Sequence, residues 1–248
     1  MIAMLFLAAV FLPLYPLSIP QNALVMRMKS PWLRAILLLA WPQIGVAVLQ
    51  AAPADISNGL VIWGMASAGF YALRLLTVRD LGLWASMLAS SALALVWGLA
   101  ANGADVWSLR LFALSFSLPA ALLALLAGQL TLRFGAAYSG LYGGLADSQP
   151  RLAALLVSSV LAAIATPLFP GFFGMLTLLH TLDWGFDFGL LLVWLLWSWA
   201  GFRLLQGFLF GPVRQAARPD LSGRATTGFV FLLVMLVLAG LAVREGGL

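Results

Sequence analysis

The side chains that could do chemistry are few. One histidine, His180, ends a long apolar run, and Asp183 and Asp187 follow it at helical spacing. Arg74, Arg79 and Asp80 stand close together, and Arg203 interrupts the aromatic stretch WSWAGFRLLQ. On a soluble surface such groups would need no explanation. Within apolar segments, ionisable groups are costly and mark ion paths, interhelical pairs or contacts with a second chain.

For catalysis the set is too thin. Cysteine is absent, which excludes thiolate nucleophiles, thiolate metal sites and disulfides. No phosphate loop, dinucleotide fingerprint, H-E-x-x-H or G-x-S-x-G occurs. A single histidine without an acidic cluster does not build a metal site. No catalytic residue, cofactor or metal is therefore expected, and the chain is not expected to be an enzyme by itself. Asp183 and Asp187 are read as a solvated outer loop.

The elements that must position these residues are membrane spans. The 248 residues are 63% hydrophobic and 8% charged, against about 25% charged in soluble domains. Several stretches reach the ~20 apolar residues that cross a bilayer. The fold class expected is all-α, a polytopic transmembrane bundle of about eight spans. These lie near 2–19, 34–52, 57–77, 81–101, 108–132, 150–179, 186–210 and 225–243. The sixth carries a Pro-Gly break, at Pro167, Pro170 and Gly171. The N-terminus lacks a basic leader segment and is read as a retained first helix.

Charge alternates between the connections. Loops one, three, five and seven hold Arg27, Lys29 and Arg34; Arg74 and Arg79; Arg133 and Arg151; and Arg214, Arg218 and Arg224. The even loops hold Asp55, Asp105, Asp183 and Asp187, with Arg110 just inside the span after Asp105, while Asp80, Asp147 and Asp220 lie among the odd-loop cations. Basic loops stay in the cytoplasm, so both termini are expected outside, in a bacterial-type inner membrane. The net charge of +5 then reports topology, and the partner implied is the lipid bilayer rather than nucleic acid. Trp63, Trp84, Trp97, Trp107, Trp184 and Trp199 are read mostly as an interfacial belt.

Five stretches carry a family resemblance. They are TVRDLGLWASM (77–87), FSLPAALLALLAGQL (116–130), YGGLADSQPRLAALLVSSVLAAIATPLFPGFFG (142–174), RLLQGFLFGP (203–212) and DLSGRATTGFVFLLVMLVL (220–238). In order and spacing they resemble the antiporter-like subunits of respiratory complex I, a family shared with Mrp-type antiporters and membrane-bound hydrogenases. The resemblance implies two units, an N-terminal hairpin (1–56) and an antiporter-like helix bundle (57–248). It also implies a shortened form that lacks most of the first of two inverted repeats.

The same resemblance implies a lost proton relay. The family's lysine in the first of these motifs falls on Arg79, which keeps the charge but does not release a proton. Its histidine falls on Phe116, a lysine of some members on Ala120, and the ionisable group after the Pro-Gly break on Met175. Arg74 either snorkels to the surface or pairs with Asp80 or with a partner's carboxylate. Arg203 is the more deeply placed cation, read as an intersubunit or cavity contact. His180 is either interfacial or a relay remnant, and Gln129 an interhelical hydrogen bond.

The function expected is a non-catalytic membrane subunit of an ion-translocating complex, supporting packing and docking of larger membrane and peripheral subunits. Complex I-like, hydrogenase, Mrp-type and energy-coupled inorganic-carbon uptake assemblies all fit. The alternatives are an autonomous proton or cation carrier using Arg79, Arg203 and His180, and an assembly factor.

Overall fold

A computed structural model describes residues 2–52, 56–141, 143–182, 184–212 and 219–246. Asp55, Asp183, Arg214 and Arg218 lie outside the described residues. The described chain forms twelve helices in the order α1 (Ile2–Phe11), α2 (Ile19–Arg27), α3 (Pro31–Ala51), α4 (Asn58–Leu75), α5 (Leu81–Ala94), α6 (Val96–Ala101), α7 (Val106–Phe134), α8 (Leu145–Ser148), α9 (Pro150–Ala163), α10 (Pro170–Thr181), α11 (Trp184–Leu209) and α12 (Gly223–Gly246). Five helical stretches are long and apolar enough to cross a membrane: α3, α5 continued by α6, α7, α11 and α12. The chain is a multi-pass membrane protein.

Local chemistry sets the helix starts. Pro31, Pro150 and Pro170 occupy first-turn positions, where a missing N–H costs nothing. Asp80 caps α5, its Oδ1 accepting from Leu83 N at 2.8 Å. Asp105 caps α7 through Ser108 N at 3.1 Å. Hydrogen bonds from the Ser108 side chain and backbone hold the Asp105 carboxyl below its ordinary range. Asp80 is thus a helix cap.

The stretch α5–α6 is central, with 89% of its apolar window buried, whereas α12 buries 17% and faces outward. Around that axis α3 packs on α7, α4 on α5 and α11, and α9 and α10 on α12. The N-terminal hairpin packs on the rest through α3 against α7 and α2 against α5.

Three connections meet at one end. Leu81 N donates to Ala137 O at 2.9 Å, Ser139 N to Arg79 O at 2.8 Å, and Gly140 N to Gly207 O at 3.0 Å. Nearby in sequence, Arg151 N donates to Asp220 Oδ2 at 2.8 Å and ties the start of α9 to the segment before α12. The connection before α5 thus meets the one after α7 beside the end of α11, and the start of α9 meets Asp220.

The N-terminal segment departs from the expectation of one continuous span over 2–19. It is two short helices, α1 and α2, separated by residues 12–18, where Pro13 and a cis Tyr15–Pro16 bond lie. Unwound backbone at membrane depth needs partners, because lipid offers none. Indoles supply them. Trp41 Nε1 donates to Val10 O at 3.2 Å, Trp97 Nε1 to Leu12 O at 3.2 Å and Trp63 Nε1 to Tyr15 O at 2.7 Å. Tyr15 N in turn donates to Ser67 Oγ at 3.0 Å.

The tryptophan belt needs the same correction. Trp107, Trp184 and Trp199 are exposed, but Trp84 and Trp97 are fully buried. Composition alone does not separate an indole at the interface from one that bonds interior backbone.

Candidate functional site

The second discontinuity lies between α9 and α10, at residues 164–169, just before the Pro-Gly pair rather than at it. Ala165 and Leu168 adopt positive φ, 56° and 86°. A non-glycine residue in that region is strained by about 1–2 kcal/mol, so the surroundings must hold the turn. Thr166 Oγ1 donates to Leu161 O at 2.9 Å, and Trp194 Nε1 donates to Ile164 O at 3.2 Å. Pro167 sits within the turn; Pro170 and Gly171 open α10.

The turn is closed in from both sides. On α12, a Cβ at Gly240 would lie 2.5 Å from Leu168 O and 3.0 Å from Pro170 N. On α7, the Phe112 ring is so near Gly174 that a Cβ there would lie 2.9 Å from Cδ2. Phe116 lies beside Gly171, its Cε1 3.3 Å from where a Cβ would stand. Phe116 also stacks at 5.1 Å on Phe112 and edge-on at 5.5 Å against Trp197. The positions matched to the family's relay are thus interior and apolar: Phe116 is 2% exposed, and Ala120 and Met175 are 0%. Met175 lies in the second turn of α10, not at the tip of the break.

A polar network runs beside this cluster, and sequence reasoning missed it. Ser86 Oγ donates to Asn22 Oδ1 at 2.6 Å, and Asn22 Nδ2 donates to Ser90 Oγ at 3.1 Å. Ser18 Oγ shares a hydrogen bond with Tyr71 Oη. Trp197 Nε1 donates to Ser91 Oγ at 2.8 Å, and Ser91 Oγ to Ala68 O at 2.7 Å. The serines at 86, 90 and 91 recur at helical spacing on α5, the one available signal. These hydroxyls and amides knit α2, α4, α5 and α11 together, and the bonds named involve no carboxylate, lysine or histidine.

The cations singled out above lie elsewhere. Arg74, Arg79 and Arg203 are all exposed. Arg79 and Arg203 line one cavity of about 270 Å³ between the end of α4, the 139–140 turn and α11. Arg203 is six residues from the end of α11, about 9 Å along the helix, so it lies near the membrane boundary and not at mid-span. His180 is exposed in the last turn of α10. That end of the bundle also holds the cavity of Asn102, Asp105, Thr177 and Thr181. The structure therefore joins Arg79 with Arg203 and leaves His180 at the opposite end. Gln129 bonds within its own helix, accepting from Arg133 Nη1 at 2.6 Å. Asp187 keeps one carboxylate oxygen buried without a partner among the described residues, unlike a solvated loop acid.

Fold and site together define a multi-pass helical membrane protein with two discontinuous helices and an apolar interior at the second break. No protein-family model matches the sequence, and no curated protein matches it. Solved structures do. A chain of respiratory complex I from Thermus thermophilus with bound NADH superposes with a TM-score of 0.77 at 24% identity, over 94% of this chain and 52% of that one. A chain of the Mrp complex from Dietzia sp. DQ12-45-1b gives 0.82 at 17% identity, over 97% and 56%. A chain of the Thermus thermophilus complex with bound aureothin gives 0.74 at 17%, over 96% and 55%. The fold is that of these membrane-complex chains, and this protein spans about half their length.

Proposed function

We propose that this chain is a non-catalytic membrane subunit of an ion-translocating assembly, retaining the frame of an antiporter-like subunit without its own proton relay. The observation that carries the reading is the apolar interior at the helix break, where Phe112, Phe116 and Trp197 pack together and Met175 is fully buried. An apolar group has no proton to pass on, so a relay through these positions is interrupted. The role left to the chain is packing and docking beside subunits that carry the ion. Complex I-like, hydrogenase, Mrp-type and inorganic-carbon uptake assemblies are the host classes.

Two experiments test it. Reconstituted alone in vesicles, the chain is expected to dissipate neither a pH nor a sodium gradient, while mild detergent recovers it with larger membrane subunits. Proton flux from the isolated chain, abolished by His180→Ala, would instead support the autonomous carrier. That alternative is weakened by geometry, since Arg79 and Arg203 share one end of the bundle and His180 the other.

Orientation in the membrane follows from the basic charge of the odd-numbered loops. The chain has no native cysteine, so single cysteines report cleanly. Ser30→Cys and Ser148→Cys are expected to resist a membrane-impermeant thiol reagent in intact cells, and Asn102→Cys to be labelled. The reverse pattern inverts the topology and places both termini in the cytoplasm.

A further inference from the structure

The cavity between α4 and α11 has a composition that packing does not explain. Two guanidinium groups from separate elements, Arg79 and Arg203, line it together with Thr77, Ser139 and Gln206, and no carboxylate does. Neither guanidinium has a hydrogen-bond or ion-pair partner among the described residues. Two fixed positive charges facing one cavity repel each other unless an anion lies between them. Arginine presents planar, paired donors that match phosphate oxygens, and the Gln206 amide can add another donor, whereas Thr77 and Ser139 already donate to Arg74 O and Leu204 O.

The depth of the cavity selects the source of that anion. Helix α11 has 26 residues, about 39 Å, and so overreaches a hydrocarbon core of about 30 Å. Arg203 lies about 9 Å below the end of α11, so its long side chain reaches up to lipid phosphates by snorkelling. Leu195 and Trp199 precede it by eight and four residues and lie on the same helix face. With Phe202 beside them they are exposed, at 60%, 63% and 60%. An apolar strip thus runs from the membrane interior up to the paired arginines, which suits acyl chains below a held headgroup. The cavity also lies at the end where the connection before α5 meets the one after α7.

We propose that this cavity binds the headgroup phosphate of an anionic phospholipid, clamped between Arg79 and Arg203, with its acyl chains along Leu195, Trp199 and Phe202. The site rests on the fold and on membrane insertion, and does not depend on the proposed loss of the relay.

The test is lipid retention by the full-length chain in detergent, measured by native mass spectrometry with dioleoylphosphatidylglycerol and with dioleoylphosphatidylcholine. The wild-type chain should retain the anionic lipid preferentially. Arg79→Gln/Arg203→Gln should weaken that retention roughly thirtyfold, as expected for two surface cations near an acidic headgroup. Arg203→Lys should keep part of it. The control Arg27→Gln/Lys29→Gln removes the same charge at the same end, outside the cavity, and should change little. Three outcomes overturn the proposal: equal retention of the two lipids, equal loss in the control, or displacement of the lipid by inorganic phosphate alone. The last would reassign the cavity to a soluble phosphate-bearing ligand. Since Arg79 and Arg203 are exposed, the variants should fold, and an unchanged melting temperature checks that they do.

Discussion

Replacing Trp41, Trp63 and Trp97 together by phenylalanine is expected to release the N-terminal discontinuous helix from the bundle. Each substitution keeps an aromatic ring and removes one N–H, so packing is nearly conserved while Val10 O, Leu12 O and Tyr15 O lose their donors. A buried carbonyl left unpaired costs about 1–3 kcal/mol. In lipid the cost persists even for the partly exposed Tyr15, because no water replaces the donor. If the three effects add, the total is roughly 3–9 kcal/mol, a large share of the ~5–15 kcal/mol that stabilises a typical fold. Thermal unfolding in detergent should show an early transition, accompanied by protease access to residues 12–18. Trp107→Phe and Trp184→Phe, at exposed positions, should leave the melting curve unchanged. A triple variant that melts with the wild type would show that these bonds do not hold the break.

The same break shows where sequence reasoning stops. The apolar runs mark the long helices, because length and hydropathy are local properties, but they place α2 (Ile19–Arg27) in a loop. The P-x-x-P-G turn was legible for a similar reason, since proline cannot continue a hydrogen-bonded helix. The prolines at 13 and 16 carried the same information, but they lie within a run whose hydropathy reads as one span. What allows the chain to unwind there is a set of indoles on α3, α4 and α6, each distant in sequence. Long-range partners also explain Asp80, whose capping role depends on where α5 begins, and Arg203, whose depth depends on how far α11 overreaches the membrane. Buried tryptophans were misplaced because an indole serves interface and interior equally well, and only the packing of distant elements around it tells them apart.

Met175→Lys, which reinstates an ionisable side chain after the Pro-Gly pair, is expected to destabilise the protein strongly and not to create transport. Met175 is fully buried, and the aromatic groups around the break offer no carboxylate to pair with an ammonium. Burial therefore depresses the lysine pKa in the folded protein below its ordinary ~10.4. When the folded value falls below neutrality, the cost at pH 7 is that of deprotonating an ordinary lysine, about 4–5 kcal/mol. The sign with pH follows. The unfolded chain binds more protons than the folded one between the two pKa values, so stability should rise with pH across that interval and level off above about 10.4. Met175→Leu, of similar volume and never charged, should cost less than about 1.5 kcal/mol and show no such slope. A working relay needs neighbours that stabilise the charge and pass it on, and the rings packed at the break, Phe112, Phe116 and Trp197, do neither. If Met175→Lys instead matches the wild-type stability at neutral pH and supports proton flux, then water or a counter-charge already reaches the break. In that case the proposal of a subunit without its own relay is wrong.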